Sequence, residues 1–405
     1  MKIAMVSEHA NPLACLGGDD AGGQNVHVAA LSAALCRLGH QVTVYTRRDR
    51  VDQPEVVTAP DGYQVVAVPA GPAGELAKDE LLPHMPEFAD GLRRRWLGAM
   101  PDVVHAHFWM SGVAAMSATG GDSPPVVQTF HALGSVKRRN QGRADTSPPS
   151  RVRIERDLGM RVARVAATCS DEVAELAALG VPADRVSVVP CGVDVDHFRP
   201  DGPVLRRGRR HRVVTVGRLV PRKGYDTVIR AVAQLPDTEL LIVGGPRAAE
   251  LGRHPEAARL RDCAARAGAA DRVRLVGRVS RAGMPALIRS ADVVACVPWY
   301  EPFGLVPLEA MACGVAVVAS AVGGLTDTVL PGVTGALVPP RAPDRLAAVL
   351  GSILSDPDGR ARLGRAGRER ATEMYGWDRV AERTVQVYRH AGASDRSDLT
   401  MVGGA

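Results

Sequence analysis

The sequence predicts an α/β protein with two domains, each built on a parallel sheet that is covered by helices. The chain has 405 residues, which is too long for one ordinary hydrophobic core. Short β-branched apolar runs alternate with segments of helical periodicity through both halves, and this alternation is typical of parallel sheets. Between the halves, residues 191–210 lack periodicity and end in a run of charges, so we predict a linker there.

These features divide the chain into three parts. Residues 1–200 are predicted to form a first domain, residues 201–375 a second, and residues 376–405 a C-terminal helix and tail. In one arrangement this helix packs back on the first domain. Ligands bind at the carboxyl ends of the strands in such sheets, and we expect the two ligand edges to face a cleft between the domains.

The composition is that of an ordinary globular chain. Apolar residues make up 46% and charged residues 23% of the sequence, and the formal net charge is +6. This mild basicity fits an anionic small ligand or an anionic membrane surface. Aromatic residues make up only 4%, which argues against a platform for single-stranded nucleic acid, so we expect no nucleic-acid partner. Self-association into an oligomer is compatible with this composition.

The cysteines and the apolar runs indicate a cytoplasmic protein. None of the seven cysteines forms a CxxC pair, and several lie inside apolar runs, which predicts reduced core residues. We find no signal peptide and no run long enough to span a membrane. A helix predicted over 86–100 places Phe88, Leu92 and Trp96 on one stripe beside Arg93–Arg95, which favours packing on its own sheet. Peripheral contact with the inner face of the membrane is the alternative.

The first half alternates strands and helices. Strands are predicted at Ile3–Ser7, Gln41–Thr46, Gln64–Pro69, Asp102–His107, Val126–Phe130, Val165–Cys169 and Val186–Pro190, with helices at 26–38, 151–163 and from Ser170. A Gly-rich loop, Asn11–Gln24, joins the first strand to the first helix and ends in Gly22 and Gly23. This arrangement suits phosphate binding, although strict GxGxxG spacing is missing. The alternative is that the glycines only make the turn.

Three histidines of this half lie on a predicted strand or directly after one. His105 and His107 alternate on one strand, and His131 follows the next strand. Because no cysteine or carboxylate cluster accompanies the alternating pair, we predict no metal site. His131 lies where parallel sheets bind ligands, which makes it a candidate for the site, although a lone histidine is often structural. Lys137 opens a basic segment, up to Pro149, that we predict to be an irregular loop.

The second half repeats the alternation. Strands are predicted at Val213–Gly217, Glu239–Gly244, Val273–Val276, Asp292–Pro298 and Val315–Ser320, and the chain from Pro343 onward is predicted to be mostly helical. Arg218 and Lys223 lie in the turn after the first of these strands, where two cations and a helix N-terminus would neutralise a diphosphate. The alternative is a solvated basic turn. Asp194 and Asp196 form a DxD triplet in the predicted linker, which we interpret as structural.

The turn and short helix at Tyr300–Gly314 complete this candidate anion site. Glu301 and Glu309 bracket the turn, and the backbone N–H groups of residues 303–305 are predicted to lie free at the helix start. Free amides and two acids at the carboxyl end of a parallel strand are typical of nucleotide sites.

With these motifs in place, the chain resembles the retaining glycosyltransferases of GT-B architecture. Their large family contains the sucrose synthases, the sucrose-phosphate synthases and the mycothiol-pathway D-inositol-3-phosphate glycosyltransferase. The matching motifs are Gly22–Gly23, Val189–Asp194, Gly217–Gly224 and Glu301–Glu309, and the resemblance covers nearly the whole chain. It implies two Rossmann-like domains with a cleft between them.

The resemblance also implies a role for each matching residue. His131, Arg218, Lys223 and Glu301 would be the catalytic residues: the two cations bind the donor diphosphate, His131 contacts the sugar near the reacting carbon, and Glu301 holds sugar hydroxyls. Glu309 would bind the ribose hydroxyls. Backbone groups complete the implied donor site at Gly22, Gly23, Val279, Phe303, Gly304 and Leu305.

The implied reaction moves a hexosyl group from a donor of the UDP-glucose, UDP-N-acetylglucosamine or GDP-mannose type to an acceptor hydroxyl. Configuration is retained by front-face attack, in which a leaving phosphate oxygen takes the acceptor proton. Cations and helix amides stabilise the charge on the departing diphosphate. The nucleotide-diphosphate sugar is a co-substrate, and no metal or other cofactor is required.

The first half would bind the acceptor, which is a small molecule or is linked to a lipid. Asn25 and Lys78 lie in segments that resemble the inositol-phosphate enzyme, and Lys137 suits an anionic acceptor. That subfamily usually has a threonine and a tyrosine where this chain has Ala132 and Phe108, and both changes remove a hydroxyl. Both changes count against inositol phosphate, and a phosphorylated or other anionic acceptor is the expectation that remains.

Two other functions share this architecture. A sugar-nucleotide epimerase would need further acid and base side chains, and it would convert its nucleotide sugar without any acceptor. A non-catalytic nucleotide-sugar-binding protein would keep most of its function after Lys223→Ala, whereas a transferase would lose turnover.

Overall fold

The computed structural model describes residues 1–14, 22–120 and 123–393. The loop glycines Gly17 and Gly18, Cys15 and the predicted tail from 394 onward lie outside the described residues. The chain forms two compact units. Unit 1 comprises Met1–Pro190 and the chain from Trp377 onward, and unit 2 comprises Cys191–Gly376.

Unit 1 contains an eight-stranded sheet in the order β3-β4-β2-β1-β5-β6-β7-β8. Its strands are β1 (Lys2–Val6), β2 (Gln41–Arg47), β3 (Val56–Thr58), β4 (Gln64–Val68), β5 (Val103–His107), β6 (Val126–Thr129), β7 (Arg164–Ala167) and β8 (Val186–Val188). Every pair is parallel except β3 with β4, which is antiparallel at the sheet edge. The central strands are apolar on both faces because helices cover both sides of the sheet.

The helices of this unit are α1 (Gly23–Arg37), α2 (Met85–Trp96), α3 (Trp109–Thr119), α4 (Gly134–Gln141), α5 (Arg151–Arg161) and α6 (Ser170–Ala178). As predicted, the apolar stripe of α2 is buried, since Phe88, Leu92 and Trp96 are at most 1% exposed. Beside that stripe, Arg93 bonds to Asp90 and Arg95 pairs with Glu55.

Unit 2 contains a six-stranded parallel sheet in the order β11-β10-β9-β12-β13-β14. Its strands are β9 (His211–Val216), β10 (Thr238–Val243), β11 (Val273–Gly277), β12 (Val293–Cys296), β13 (Ala316–Ser320) and β14 (Gly335–Val338). Its helices are α7 (Tyr225–Ala233), α8 (Pro255–Arg266), α9 (Met284–Arg289), α10 (Leu305–Ala312), α11 (Leu325–Thr328), α12 (Pro343–Ser355) and α13 (Pro357–Tyr375). Two parallel-sheet α/β units confirm the predicted fold class.

The last helix, α14 (Trp377–His390), belongs to unit 1. It packs on α1, where Val380, Ala381 and Tyr388 share one apolar cluster with Leu31. At the helix surface, Arg37 Nη2 lies 2.6 Å from Asp378 Oδ1. Unit 1 is therefore built from two separate stretches of the chain.

Three local predictions differ from the structure. The predicted linker from 191 onward is irregular, but it packs into unit 2: Val193 and Phe198 are buried in that unit's core. The division of the chain thus falls at Pro190, before the expected boundary at 200. The predicted irregular loop after Lys137 begins instead within α4.

The DxD triplet in this segment has structural partners. Asp194 Oδ1 accepts a hydrogen bond from the His197 N–H, and its other oxygen lies 3.3 Å from Arg281 Nη2.

Among the described cysteines, six carry free thiols and five of these are buried, as predicted. Among the helices that the structure describes, none has both the length and the apolar character needed to cross a membrane.

Candidate active site

The sheet of unit 2 has a topological switch point beside β9. This strand lies between β10 and β12, so the connections that leave β9 and β12 diverge there, and ligands bind at such points in parallel sheets. The connection after β9 carries Arg218 and Lys223, and the connection after β12 carries Glu301. Three of the four predicted catalytic residues therefore lie at one edge of one sheet.

Lys223 and Glu301 form an ion pair at this switch point. Lys223 Nζ lies 2.5 Å from Glu301 Oε2, with side-chain exposures of 15% and 12%. Burial alone would raise the pKa of Glu301, but the Lys223 ammonium, the Arg222 charge and the Phe303 N–H lower it overall. The carboxylate is therefore ionised and holds the ammonium in place.

Glycines fix the backbone around this pair. Gly304 is the N-cap residue of α10, with a φ of 78°, and the Gly324 N–H donates to the Glu301 carbonyl at 3.0 Å. A Cβ at Gly323 would lie 2.3 Å from that same carbonyl, so only glycine allows the approach. The predicted set of free amides needs one correction, because the Phe303 N–H donates to the Glu301 carboxylate.

The other donor candidates of unit 2 are near the same edge. Glu309 lies one turn into α10, where burial raises its pKa to about 7 and the Arg281 charge only partly offsets the effect. Val279 follows β11 and packs against the core of the unit. Arg218 is exposed, and its carbonyl accepts a hydrogen bond from Tyr225 Oη at 3.1 Å.

Unit 1 has its own switch point, beside β1, which lies between β2 and β5. Glu8 follows β1 and is buried. It accepts a hydrogen bond from Ser111 Oγ, and its Oε1 lies 2.8 Å from His9 Nδ1. Burial alone would raise the pKa of Glu8, but His9, Ser111 and the Lys78 charge lower it overall. A buried carboxylate therefore marks this edge, and the sequence did not predict it.

The end of the Gly-rich loop is pinned by Asn25. The Gly22 N–H donates to Asn25 Oδ1 at 3.1 Å, and Asn25 Nδ2 donates to the Asn11 carbonyl at 2.9 Å. Gly23 is the first residue of α1. The buried Asn25 side-chain amide bonds to the loop backbone at Gly22 and at Asn11, and so it holds Gly22 and Gly23 at the edge of the sheet.

Phe108 is strained and lies beside two cations. Its φ of 82° and ψ of 155° fall in a region used almost only by glycine, and its backbone is held by hydrogen bonds to Thr129 O and from Gln128 Nε2. Lys78 Nζ lies 3.9 Å from the ring centroid, and Arg151 Cζ lies 5.0 Å from it. Such strain persists where the surroundings fix the residue, as they do in binding sites.

Arg151 is held rigidly in this group. Its Nε donates to Glu155 Oε1 at 2.7 Å, and its Nη2 donates to the Ala132 carbonyl at 2.5 Å. Ser147 Oγ accepts from both Arg151 and Lys137, at 3.2 and 2.8 Å, and Lys137 also pairs with Asp145. The structure thus brings the predicted Lys78, Phe108 and Lys137 into one basic group with Arg151, which the sequence did not predict.

His131 lies in a cluster of four buried histidines. The residue follows β6 with a φ of 62°, and its Nε2 lies 2.9 Å from His107 Nδ1. His27 packs edge-on against it, with ring centroids 5.1 Å apart, and His105 packs against His107 at 4.1 Å. Burial lowers the pKa of all four, to about 4 for His27 and about 3 for His105, so the rings are neutral.

The comparisons with known proteins agree with this geometry. Residues 202–370 match the model described as "Glycosyl transferases group 1", and residues 21–197 match "Glycosyltransferase Family 4". The chain is 38% identical to the D-inositol 3-phosphate glycosyltransferase of Xylanimonas cellulosilytica, over 96% of this chain and 97% of that protein. It is also 38% identical to the protein of the same name from Kribbella flavida, over 96% of each chain.

The chain belongs to the glycosyltransferases of group 1 and family 4.

Solved structures place this glycosyltransferase in the same fold. Sucrose-phosphate synthase from Thermosynechococcus elongatus is 31% identical, with a TM-score of 0.87 over 97% of this chain and 100% of that one. HepE of Anabaena, solved in complex with UDP and glucose, is similar in fold, with 20% identity and a TM-score of 0.72 over 96% of this chain and 99% of that one. The predicted GT-B fold and the predicted enzyme class are confirmed.

In the part of the chain that the structure describes, no group of three or more His, Cys, Asp or Glu side chains is arranged to hold a metal ion.

Proposed function

We propose that this glycosyltransferase moves a hexosyl group, with retention, from a nucleoside diphosphate sugar to a hydroxyl of an anionic acceptor. The observation that carries the proposal is the Lys223–Glu301 pair at the switch point of unit 2. An ammonium held beside a helix start suits a diphosphate, and an ionised carboxylate beside it suits sugar hydroxyls.

The chemistry follows from where charge develops. Cleavage of the glycosidic C–O bond leaves negative charge on the diphosphate, and Lys223 with Arg218 stabilises that charge as it forms. Glu301 holds Lys223 before the donor binds and accepts sugar hydroxyls afterwards. The acceptor hydroxyl attacks the same face of the sugar, and its proton passes to the departing phosphate oxygen. His131 of unit 1 contacts the transferred sugar, and Glu309 binds the ribose.

The acceptor side of the proposal rests on the basic group around Phe108. Lys78 and Arg151 both approach the Phe108 ring, and Lys137 joins through Ser147. Two cations at the ring of one strained residue, with a third that shares Ser147 with Arg151, favour an acceptor with a phosphate or another anionic group. The relatives named above act on D-inositol 3-phosphate by their names. This chain keeps cations but lacks hydroxyls at Phe108 and Ala132, which favours a different anionic acceptor.

The donor can be tested with a panel of UDP-, GDP- and ADP-sugars. We expect one donor class to raise the melting temperature and to give a glycosylated product, identified by mass spectrometry, when anionic hydroxyl acceptors are added. Product of retained anomeric configuration, measured by NMR, supports the front-face mechanism. A folded protein that no donor stabilises would contradict the proposal, and so would inverted product.

The acceptor can be tested by restoring the two hydroxyls. Inositol phosphate should be a poor acceptor for the natural chain, and the double variant Phe108→Tyr with Ala132→Thr should improve it at least tenfold. The matched control is Phe130→Tyr, which adds a hydroxyl to another buried ring of unit 1, directly after β6. Efficient transfer to inositol phosphate by the natural chain would overturn this part of the proposal and leave the donor assignment intact.

A further inference from the structure

The buried histidines of unit 1 form two hydrogen-bonded chains. One runs from His131 through His107 to the thioether of Met5, with distances of 2.9 and 3.3 Å. The other runs from Tyr388 through His105 to Thr129, with distances of 2.8 and 2.9 Å. Each neutral imidazole carries one ring proton, and the partners at the chain ends decide where that proton lies.

The first chain ends on sulfur, which fixes the proton of His107. A thioether has no proton to donate and only accepts, so the 3.3 Å contact requires His107 Nε2 to carry the hydrogen. His107 Nδ1 is then the unprotonated nitrogen. It accepts from His131 Nε2 at 2.9 Å, and so His131 carries its own proton on Nε2. The ring centroids lie 5.1 Å apart and the ring planes are tilted by 25°, which is compatible with an N–H···N bond between the ring edges.

The second chain keeps the Tyr388 proton away from the sulfur. Thr129 Oγ1 donates to the Ala166 carbonyl at 3.0 Å, so it can only accept from His105 Nε2. His105 Nδ1 is therefore unprotonated and takes the Tyr388 hydroxyl proton at 2.8 Å. Tyr388 Oη also lies 4.0 Å from Met5 Sδ, which is a much longer contact than its 2.8 Å bond to His105 Nδ1. The shorter contact of the Met5 sulfur is the one with His107 Nε2, at 3.3 Å.

We infer that Met5 and His107 are positioning residues that set the tautomer of His131. With its proton on Nε2, His131 presents Nδ1 as a hydrogen-bond acceptor. The inference rests on the proposed function, in which His131 contacts the transferred sugar. A lone pair at this point accepts from a sugar hydroxyl and repels a carboxylate, so the substrate class is a neutral hexosyl donor and not a hexuronyl donor.

The tautomer can be measured directly, without activity. In ¹⁵N-histidine-labelled full-length protein, NMR separates protonated from unprotonated ring nitrogens, and the His131 signals are assigned by comparison with His131→Asn. We expect His131 to carry its proton on Nε2. A proton on Nδ1 in the natural chain would overturn the inference whatever the activity.

Two series of variants then test the chain of contacts. Met5→Leu keeps volume but removes the sulfur, so we expect a mixed His131 tautomer and a three- to tenfold lower kcat. The control Met116→Leu, another buried methionine of unit 1, should change neither. His107→Asn retains an acceptor oxygen near the Nδ1 position and should remain within tenfold of the natural chain. His107→Leu removes the acceptor, so its kcat should be at least tenfold lower than that of His107→Asn. Circular dichroism should show that both variants are folded.

Donor selectivity provides the remaining readout. UDP-glucose is compared with UDP-glucuronate, or GDP-mannose with GDP-mannuronate if the enzyme uses guanosine donors. The natural chain should prefer the neutral sugar at least 100-fold, and Met5→Leu should lower that preference. One outcome would separate the two parts of the inference: the NMR tautomer is as inferred and changes in Met5→Leu, but kcat and donor selectivity do not change. That result would support the role of Met5 and His107 in setting the tautomer, and it would refute the contact of His131 with the sugar. An unchanged tautomer in Met5→Leu would refute the role of Met5.

Discussion

The two units hold their switch-point residues by different means. In unit 2, Lys223 and Glu301 lie in turns shaped by glycines that follow two neighbouring strands, and a single ion pair between the two turns joins their side chains. In unit 1, Glu8 and His131 are fixed by side chains that arrive from distant parts of the chain, such as Ser111 and His107. A site made from turns is local and leaves a sequence motif, whereas a site made from side-chain networks is dispersed and leaves little pattern.

Removing the Lys223 ammonium from unit 2 should have the largest effect on activity. In Lys223→Ala the departing diphosphate loses its buried ammonium, and Glu301 is left as an unpaired carboxylate. We expect kcat/KM to fall about 10²–10³-fold, measured in the transfer assay with the selected donor. The control Arg230→Ala removes an exposed cation on α7 and should stay within twofold. Equal losses in both variants would mean that the turn supplies only general positive charge.

The turn geometry of unit 2 can be tested through stability. Gly224 has a φ of 73°, and a Cβ there would lie 2.1 Å from the Val297 carbonyl, so Gly224→Ala combines backbone strain with a clash. We expect a loss of about 2–4 kcal/mol in the free energy of unfolding, measured by urea titration.

Gly268→Ala is the matched control for that loss. Gly268 has a φ of 68° but nothing within 4 Å of its Cβ position, so only the backbone term of about 1 kcal/mol is expected. If Gly224→Ala and Gly268→Ala lose the same free energy of unfolding, the close approach of Gly224 to the Val297 carbonyl contributes nothing to stability.

Glu309 should make donor binding depend on pH. Its pKa of about 7 means that the carboxylate form gains population between pH 6 and pH 8, so the KM for the donor should fall as pH rises, by up to about tenfold. Glu309→Gln should have a weaker, pH-independent donor affinity. A natural enzyme whose donor KM is constant over this range would exclude ribose binding by the ionised Glu309.

The same carboxyl gives a stability test in the ligand-free protein. Because its pKa is raised on folding, the stability that Glu309 contributes is present at low pH and is lost as pH rises through 7. Glu309→Gln should therefore equal the natural chain at pH 4, below the ordinary glutamate pKa of 4.5, and exceed it at pH 8, on the order of 1–3 kcal/mol, measured as unfolding free energy.

The smallest effect is expected from the network of unit 1. Tyr388→Phe leaves His105 Nδ1 without its hydroxyl donor and should cost about 1 kcal/mol, with faster amide exchange in unit 1. Tyr375→Phe removes a comparable bond to the Asp327 carbonyl and should speed exchange in unit 2 instead. Exchange that rises in both units for either variant would show that the networks are not confined to their own units.

Much of the fold was predictable because its signals are local. The central strands are short β-branched runs, and the Lys223 and Glu301 turns carry their glycines and charges within a few residues of each strand. The helix α3 was not predicted, because it is apolar on most faces and shows no polar stripe. The strands β3 and β14, which form one edge of each sheet, were not predicted either.

The site of unit 1 was only partly predictable for a related reason. His131 was a candidate because it follows a strand, but Glu8, Arg151 and Met5 carried no motif. Their roles depend on contacts across the fold: Glu8 and Ser111 are 103 positions apart in the sequence, and His105 and Tyr388 are 283 apart. No spacing motif marks Glu8. Its position directly after a strand of a parallel sheet is the one sequence feature that could have indicated it.

The separate origin of α14 has a consequence for how the molecule is made. On the ribosome, residues 1–190 emerge first, then the whole of unit 2, and only then the helix that carries Trp377 and Tyr388. The first-made sheet must wait, with its α14-binding surface uncovered, until the residues of unit 2 and of α14 have been made. A nascent chain stalled before Trp377 would thus hold a complete unit 2 beside an unfinished unit 1. Messages that end early would yield a protein open to proteases and chaperones at its first-made half.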